Sequence, residues 1–313
     1  MNTSTLQRPV RLGRIGYMNV APVYYGLDNG LTPSWIHMVG SPPNTLNGMM
    51  AEGSLDISPV SAAAYARNTH DWLILPDMAV TSRERVMSVL LASRYDLEAL
   101  NEKRIVVTNE SSSGRDLCRL ILTQKGICPK FVIADILPPA QLAEKADAAL
   151  VIGDKALSYH WQSHFPHVYD LGTLWWNMTG LPFVFAVWTV RKQFAASFPD
   201  KTADVACLLK TSYNSGNEHR TDIVRNASRR LGIASETATL YYQSLGYHLG
   251  TSEKAGLTLF CDSLYEAGIL EHPVTLECFD TNAAQHHDTW TAHSGNGGEA
   301  SDACWSARIP ITA

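Results

Sequence analysis

Two apolar stretches decide how this chain is divided: VMSVLLAS at residues 86–93 and FVFAVWTV at residues 183–190. They are the longest apolar runs of their region, and they flank a block with about the length of one small α/β domain. We therefore predict that the chain crosses between two lobes at these runs. Residues 1–93 with 188–280 form lobe one and residues 94–187 form lobe two, with a ligand cleft between them.

Shorter apolar runs around these crossings predict an α/β architecture. They are rich in Val, Ile, Leu or Phe and are bounded by turn residues, as in strands buried on both faces. Helical patterns fit between them, one opened by Ser41 and Pro42 and another spanning 111–126. This alternation predicts mostly parallel strand pairing. The runs are residues 10–15, 35–39, 55–60, 73–76, 104–108, 131–135 and 148–152.

The pattern changes after residue 193, where apolar residues recur at helical spacing. The rest of lobe one is therefore predicted to be helical. The helical segments are residues 200–217, 219–231, 235–246 and 252–270. Residues 281–313 are rich in Ala, Gly, Ser, Thr and His without any periodicity, so a disordered tail is predicted there.

Composition and charge exclude several classes of function. The chain has 313 residues, of which 45% are hydrophobic and 18% charged, and a net charge of −5. These values are typical of a globular protein and argue against nucleic-acid binding. No apolar run resembles a signal peptide or a membrane span, so a cytoplasmic protein without membrane contact is expected. The six cysteines include no CxxC pair, and reduced thiols are expected.

No cofactor or metal site is predicted. The chain contains no phosphate-binding loop, dinucleotide glycine fingerprint, GxSxG or HExxH motif. His160, His164 and His167 have a spacing that suits metal ligands, but Pro166 interrupts the turn and no acidic or cysteine partner is near in sequence. An exposed surface is the preferred interpretation of these histidines.

Asn19, Ser61 and Ser88 are the first candidates for a functional site. Asn19 and Ser61 each follow a predicted strand, where a polar side chain either caps the next helix or contacts a ligand. Ser88 lies inside an apolar run, where a hydroxyl needs a partner. It either bonds within the core or faces a site, and the residues alone leave both interpretations open.

Two further strand ends carry candidates. Ser112 and Ser113 open the helix after the run at 104–108, where backbone N–H groups and the helix dipole favour an anion unless the serines are simple caps. Gly153 and Asp154 follow the run at 148–152, and Asp154 is alternatively a helix cap. All candidates except Ser88 lie beyond carboxyl ends of strands, where open α/β sheets bind ligands. Neutral polar groups without a nucleophile–base pair indicate a site for a small carboxylate.

Long stretches of the chain, taken in order, carry a family resemblance: GYMNVAPVYYGL (16–27), LDISPVSAAAYARN (55–68), LPDMAVTSRERVMSVLLAS (75–93), ADAALVIGDKAL (146–157) and TGLPFVFAVWTVR (179–191). They resemble the menaquinone biosynthesis family of the futalosine pathway, in its chorismate dehydratase branch. The resemblance runs from about residue 9 to residue 272. It implies a periplasmic-binding-protein type II-like fold, with mixed sheets flanked by helices, used as an enzyme.

The resemblance also implies a reaction and its residues. The reaction converts chorismate to 3-[(1-carboxyvinyl)oxy]benzoate and water, with Asn19 and Ser88 as catalytic residues. By the same resemblance, Ser112, Ser113, Gly153 and Asp154 are substrate-binding candidates, and Ser61 is added to them from its position at a strand end alone. The chain departs from the family pattern at Val20-Ala21-Pro22, where a bulkier stretch is expected, and at Glu84-Arg85, where many members have Gly-Pro.

Two other functions stay open. One is the related lyase that acts on cyclic dehypoxanthine futalosine, whose branch, by resemblance, places a catalytic His where this chain has Gly153. The other is a solute-binding or sensing protein without chemistry, which the fold permits. The missing signal peptide argues against a role in transport.

Overall fold

The structure, a computed structural model, describes residues 8–108, 110 and 112–281. The predicted tail, residues 281–313, lies outside the described residues apart from Thr281. The strands are β1 (Val10–Ile15), β2 (Ile36–Ser41), β3 (Ile57–Ser61), β4 (Trp72–Ser82), β5 (Val89–Ser93), β6 (Arg104–Val107), β7 (Lys130–Ile133), β8 (Ala148–Ile152), β9 (His167–Asp170), β10 (Phe183–Arg191) and β11 (Leu245–Gly246).

Helices cover both faces of the strands. The α-helices are α1 (Ala21–Gly26), α2 (Pro43–Ala51), α3 (Ala62–Arg67), α4 (Ser112–Gln124), α5 (Pro139–Ala143), α6 (Asp154–Ser158), α7 (Leu171–Thr179), α8 (Lys192–Ser197), α9 (Pro199–Glu218), α10 (Arg220–Leu231), α11 (Ser235–Ser244) and α12 (Thr251–Glu266). The helical segments predicted after residue 193 are thereby confirmed. In the part of the chain that the structure describes, no helix is long and apolar enough to cross a membrane.

The strands form two mixed sheets. The first has six strands in the order β11-β4-β10-β3-β1-β2, and the second has five in the order β7-β6-β8-β5-β9. Pairing is parallel between β1 and its neighbours and between β6 and its neighbours, but β10 and β5 run antiparallel to the strands beside them. The expectation of mostly parallel pairing is wrong because both crossing strands enter their sheets in the reverse direction.

The chain passes from one sheet to the other at earlier residues than the apolar pattern predicts. That pattern puts residues 89–93 in lobe one and residues 183–187 in lobe two. The hydrogen bonds place the whole of β5 in the second sheet and the whole of β10 in the first. The chain therefore crosses before β5 and before β10, since an apolar run buried in either sheet looks the same in sequence. With sheets as the guide, we propose that the lobes meet near residues 83–88 and 180–182.

Burial on both faces explains the unbroken apolar runs of the second sheet. Leu91, Ile105 and Leu150 belong to a large core cluster that also contains residues of the first sheet, such as Leu12. Their neighbours face the other way and form a smaller cluster, which includes Ala92, Val106, Val151, Trp161 and Phe165. Because one cluster continues from sheet to sheet, the lobes are packed together behind the cleft.

Local details differ from the sequence patterns at a few places. Helix α2 begins at Pro43, with Pro42 at its N-cap and no side-chain capping bond, because Ser41 is the last residue of β2. Strand β9 has no apolar run of its own, since it is short and only partly buried. Strand β4 continues past the predicted end at residue 76, across Asp77, which has a φ of 63°.

Candidate active site

A pocket lies between the sheets and draws its walls from both lobes. Its lining combines apolar side chains with neutral polar groups. The lining residues are Ile15, Tyr17, Asn19, Pro43, Ser61, Val80, Val86, Ser88, Val89, Glu110, Ser113, Gly114, Ile152, Gly153, Phe185, Ala186 and Leu245. The strand-end candidates Asn19, Ser61, Ser113 and Gly153 thus meet in one cleft, and Ser88 lines the same cleft. Ser112 and Asp154 do not line it.

Asn19 lies in a single 3₁₀ turn, Met18–Val20, between β1 and α1. Its side chain caps neither element, because the N-caps are Tyr17 and Val20 and neither has a side-chain capping bond. The Oδ1 atom of Asn19 is buried and has no hydrogen-bond partner among the described residues. Leaving such an acceptor unpaired costs free energy. The structure therefore favours contact with a ligand that donates a hydrogen bond over the capping interpretation.

Two buried tyrosines hold the backbone of this turn. Tyr242 Oη donates to the carbonyl of Met18 at 3.1 Å, and Tyr247 Oη donates to the backbone carbonyl of Asn19 at 2.7 Å. Burial raises the pKa of both phenols, so both keep their protons and remain donors. The Asn19 main chain is fixed in this way while its carboxamide lines the pocket.

Ser88 immediately precedes β5 rather than lying inside a strand. It is 4% exposed, and its backbone carbonyl accepts a hydrogen bond from Gly153 N at 2.8 Å. Its hydroxyl contacts the phenol of Tyr241. Burial raises the pKa of Tyr241, and the hydrogen bond with Ser88 opposes that rise only in part. The Ser88 hydroxyl therefore connects a neutral, buried phenol with the pocket.

Ser61 and Ser113 combine backbone contacts with a place in the pocket wall. Ser61 is the N-cap of α3, and its Oγ accepts from Ala64 N at 3.2 Å, so the capping interpretation is confirmed. Ser113 Oγ accepts from Ala63 N at 2.9 Å and so joins α4 to the other lobe. Because each hydroxyl accepts in these bonds, its own proton is available for donation to a carboxylate.

Gly153 and Asp154 connect the lobes at the end of β8. Gly153 has φ 61° and ψ −142°, and a Cβ on it would lie 3.1 Å from carbons of the Tyr17 ring. Asp154 Oδ1 accepts from Met18 N at 3.0 Å, and Arg230 lies 4.0 Å from its other oxygen. Burial raises the pKa of Asp154, while the Met18 N–H and Arg230 oppose that rise. Asp154 thus joins the lobes beside the pocket.

Tyr17, Glu110 and Phe185 line the pocket without having been singled out in the sequence. The Tyr17 hydroxyl donates to Glu110 across the cleft. Burial, and then the nearby Glu110 carboxylate, raise the pKa of Tyr17, so the phenol stays protonated. In the sequence, these two residues are marked only by their closeness to other candidates. Tyr17 is two residues before Asn19, and Glu110 is close to the serines that open α4.

An anion in the pocket would meet hydrogen-bond donors rather than positively charged side chains. Its described lining includes no Lys, Arg or His. Ser113 and Gly114 lie in the first turn of α4, a helix of 13 residues that begins at the pocket. N–H groups at a helix N-terminus and the helix dipole favour negative charge there. The arrangement therefore suits a carboxylate group at the start of α4.

Within the described residues, no group of three or more His, Cys, Asp or Glu side chains could hold a metal ion. Of the histidines that have ligand-like spacing, His160 and His164 are exposed and His167 pairs with Asp96 at 3.1 Å.

A family model for menaquinone biosynthesis matches residues 10–266. The chain belongs to this menaquinone biosynthesis family. The match begins at β1 and ends with α12, so the family region contains both sheets and every residue of the pocket.

Relatives of this family member have two different activities in their names. A chorismate dehydratase of Thermus thermophilus is 29% identical over 82% of this chain and 96% of its own length. A chorismate dehydratase of Campylobacter jejuni is 25% identical over 79% of this chain and 94% of its own length. A 1,4-dihydroxy-6-naphtoate synthase of Thermus thermophilus is 29% identical, but over 55% of this chain and 62% of its own length.

Solved structures show the fold of this family member. A protein from Archaeoglobus fulgidus superposes with a TM-score of 0.69 at 18% identity and covers 85% of this chain and 100% of that chain. A Candida albicans protein described as having the generic periplasmic binding protein fold gives a TM-score of 0.63 at 14% identity, covering 87% and 97%. The two-lobed fold with mixed sheets and an intervening cleft is confirmed.

One departure from the family pattern, Glu84, lies at a strained turn. Glu84 adopts a φ of 58°, a left-handed conformation that favours glycine. Glycine is also the residue that the family resemblance leads us to expect at this position. This chain therefore forms a left-handed turn before β5 at a residue for which that conformation is strained.

Gly153→Ala is expected to destabilise this family member more than an ordinary substitution of a left-handed glycine. The φ and ψ of Gly153 lie in a region that is essentially restricted to glycine, and the new Cβ would press on the Tyr17 ring. Gly232→Ala is the matched control, because Gly232 has φ 65° and ψ 32° in open space and should lose only about 1–2 kcal/mol. Equal losses of melting temperature would contradict the contact with Tyr17.

Proposed function

We propose that this protein is a chorismate dehydratase, which converts chorismate to 3-[(1-carboxyvinyl)oxy]benzoate and water in menaquinone biosynthesis by the futalosine pathway. The observation that carries the proposal is the unpaired, buried Oδ1 of Asn19 in the same pocket as the Ser88 hydroxyl. The names of the Thermus and Campylobacter relatives support it. The reaction uses no exported substrate, and we propose a cytoplasmic location.

The proposed reaction needs orientation more than strong acid–base groups. Chorismate loses the proton at C3 and the hydroxyl at C4. The electrons of the C3–H bond form the new double bond, the C4–O bond breaks, and the hydroxyl leaves with a proton as water. Because the product ring is aromatic, its formation supplies a large thermodynamic driving force for the reaction. Preorganised hydrogen bonds at the leaving oxygen can then supply much of the catalysis.

Asn19 and Ser88 suit the leaving hydroxyl. The C4 hydroxyl can donate to Asn19 Oδ1, the buried acceptor without a partner among the described residues. Ser88 lines the same pocket and can donate to the leaving C4 oxygen as negative charge develops on that oxygen. One substrate carboxylate would lie at the N-terminus of α4, near Ser113, and Ser61 offers a further donor.

The proton acceptor is proposed to be the enolpyruvyl carboxylate of the substrate itself. Glu110 is the carboxylate that lines the described pocket, but it already accepts the Tyr17 hydroxyl across the cleft and is exposed to solvent. Glu110→Gln should therefore keep turnover within about one order of magnitude of the wild type. Loss by a factor of about 10² to 10⁴ would instead identify Glu110 as the general base.

The deciding experiment compares substrates on the purified protein. Chorismate and cyclic dehypoxanthine futalosine are each incubated with the enzyme, and products are followed by chromatography. We expect loss of chorismate with formation of the benzoate product and no reaction of the futalosine. Gly153 cannot act as a base, and its φ and the nearby Tyr17 ring disfavour a larger side chain there. Turnover of the futalosine alone would reverse the assignment, and binding without turnover would indicate a carboxylate-binding protein.

A further inference from the structure

Asp170 joins three pieces of the second lobe next to the candidate site. It is the last residue of β9 and the N-cap of α7, where its Oδ1 accepts from Thr173 N at 3.1 Å. Both carboxylate oxygens also accept from Val86 N at 3.1 Å, and Oδ2 accepts from Met87 N at 2.7 Å. The carboxylate thus binds backbone N–H groups on two sides, although a helix cap requires only one of them.

Met87, which directly precedes Ser88, has a left-handed backbone. Its φ is 62°, a conformation in which the Cβ of an L-residue crowds the backbone. Such a conformation persists when the surrounding contacts hold it. The hydrogen bond from Met87 N to Asp170 is the shortest of those made by this carboxylate. The kink at Met87 sets the direction in which the next residue leaves the chain.

Gly172 permits the close approach of α7 to this segment. A Cβ on Gly172 would lie 3.0 Å from Val86 N, 3.1 Å from Asp170 Oδ1 and 2.9 Å from Ser82 Oγ. Two of these atoms belong to the hydrogen-bonded group itself. Since any side chain at Gly172 would push the helix away from Val86, the local sequence keeps the carboxylate and the kinked backbone in contact.

We propose that Asp170 is a positioning residue for Ser88. Its carboxylate holds the backbone at Val86 and Met87 in the conformation that places the Ser88 hydroxyl in the pocket. The role rests on the proposed function, since Ser88 acts on chorismate there. Asp170 itself is not among the residues that line the candidate site, so it would act through Ser88.

Asp170→Asn separates positioning from capping. Asparagine caps a helix as well as aspartate does, so the bond from Thr173 N survives. Its single carbonyl oxygen cannot also replace both acceptor oxygens, and an NH₂ group then faces a backbone N–H of Val86 or Met87. Turnover of chorismate should fall at least tenfold, while KM and the melting temperature should change far less.

A second variant tests whether loss of the left-handed conformation at Met87 causes the expected fall in turnover. Glycine adopts φ near 62° without steric cost, so Met87→Gly added to Asp170→Asn should recover most of the lost turnover. Asp204→Asn is the matched control. It removes the same charge from an exposed aspartate, which pairs with Lys201 at 3.0 Å on α9, and should leave turnover unchanged.

Crystal structures of the wild type and Asp170→Asn complete the test without relying on chorismate. The expected result is that residue 87 leaves the left-handed region and Ser88 Oγ moves away from Asn19 in the variant. An unmoved Ser88, or lost turnover that Met87→Gly fails to restore, would overturn the proposal. If the wild type does not dehydrate chorismate, the proposed function fails, and the positions of Met87 and Ser88 still decide whether Asp170 holds them.

Discussion

Asn19→Ala is expected to lower the turnover of chorismate by at least one order of magnitude, because it removes the acceptor that orients the leaving hydroxyl. The reason is the position of its carboxamide, whose buried Oδ1 has no partner among the described residues and lines the pocket. KM should change much less, because the contact is with the leaving hydroxyl rather than with a carboxylate. Steady-state kinetics measure both effects.

Asn19→Asp and a control amide sharpen this test. Aspartate keeps the shape of the side chain but places an anion beside a dianionic substrate, so binding and turnover should both weaken. Asn29→Ala removes an exposed carboxamide that donates to the carbonyl of Tyr25 at 2.7 Å, and it should leave kinetics unchanged. Wild-type kinetics of Asn19→Asp would show that the carboxamide does not contact the substrate.

Ser88→Ala is expected to lower turnover by at least one order of magnitude and by as much as about 10³-fold. The hydroxyl lines the pocket and contacts the buried phenol of Tyr241, which keeps its proton. Without the hydroxyl, the departing oxygen loses a donor. Thermal unfolding measured beside kinetics should show a change of only about 1 kcal/mol in stability.

Ser93 provides the matched control for Ser88. It is a fully buried serine at the other end of β5, and its hydroxyl donates to the carbonyl of Tyr95 at 2.7 Å. Ser93→Ala should lose a similar amount of stability and keep wild-type turnover. Should Ser88→Ala behave like Ser93→Ala in both measurements, Ser88 would be a core serine and the proposed mechanism would lose its donor.

Much of the fold follows from the sequence because buried strands leave a strong signal. The runs at residues 10–15 and 148–152 coincide with β1 and β8. Strand β9 gives no such signal, because its residues HVYD are only partly buried at a sheet edge. The sheet to which a crossing strand belongs is likewise hidden, since burial on both faces gives the same composition in either sheet.

The sequence predicts those parts of the candidate site whose position depends on the local strand and turn pattern. Strand ends gave Asn19, Ser61, Ser113 and Gly153, because the carboxyl ends of strands from both sheets meet at the cleft. The sequence does not place Tyr17 opposite Glu110, since that contact joins residues far apart in the chain. The same holds for Asp170, which looks like an ordinary helix cap until its second set of N–H partners is known.

The bonds that join the lobes bear on how fast chorismate can enter. Across the cleft, Tyr17 donates to Glu110, Met18 N to Asp154 and Ala63 N to Ser113, and Arg67 pairs with the buried Asp116 at 2.7 Å. If the lobes open to admit substrate, a net contribution of about 0.5–1.5 kcal/mol for each of these hydrogen bonds makes the open form a minor population. Substrate then meets only that fraction, so the apparent affinity falls by the same factor. If product release requires the same opening, that step sets a ceiling on turnover that is independent of the dehydration step.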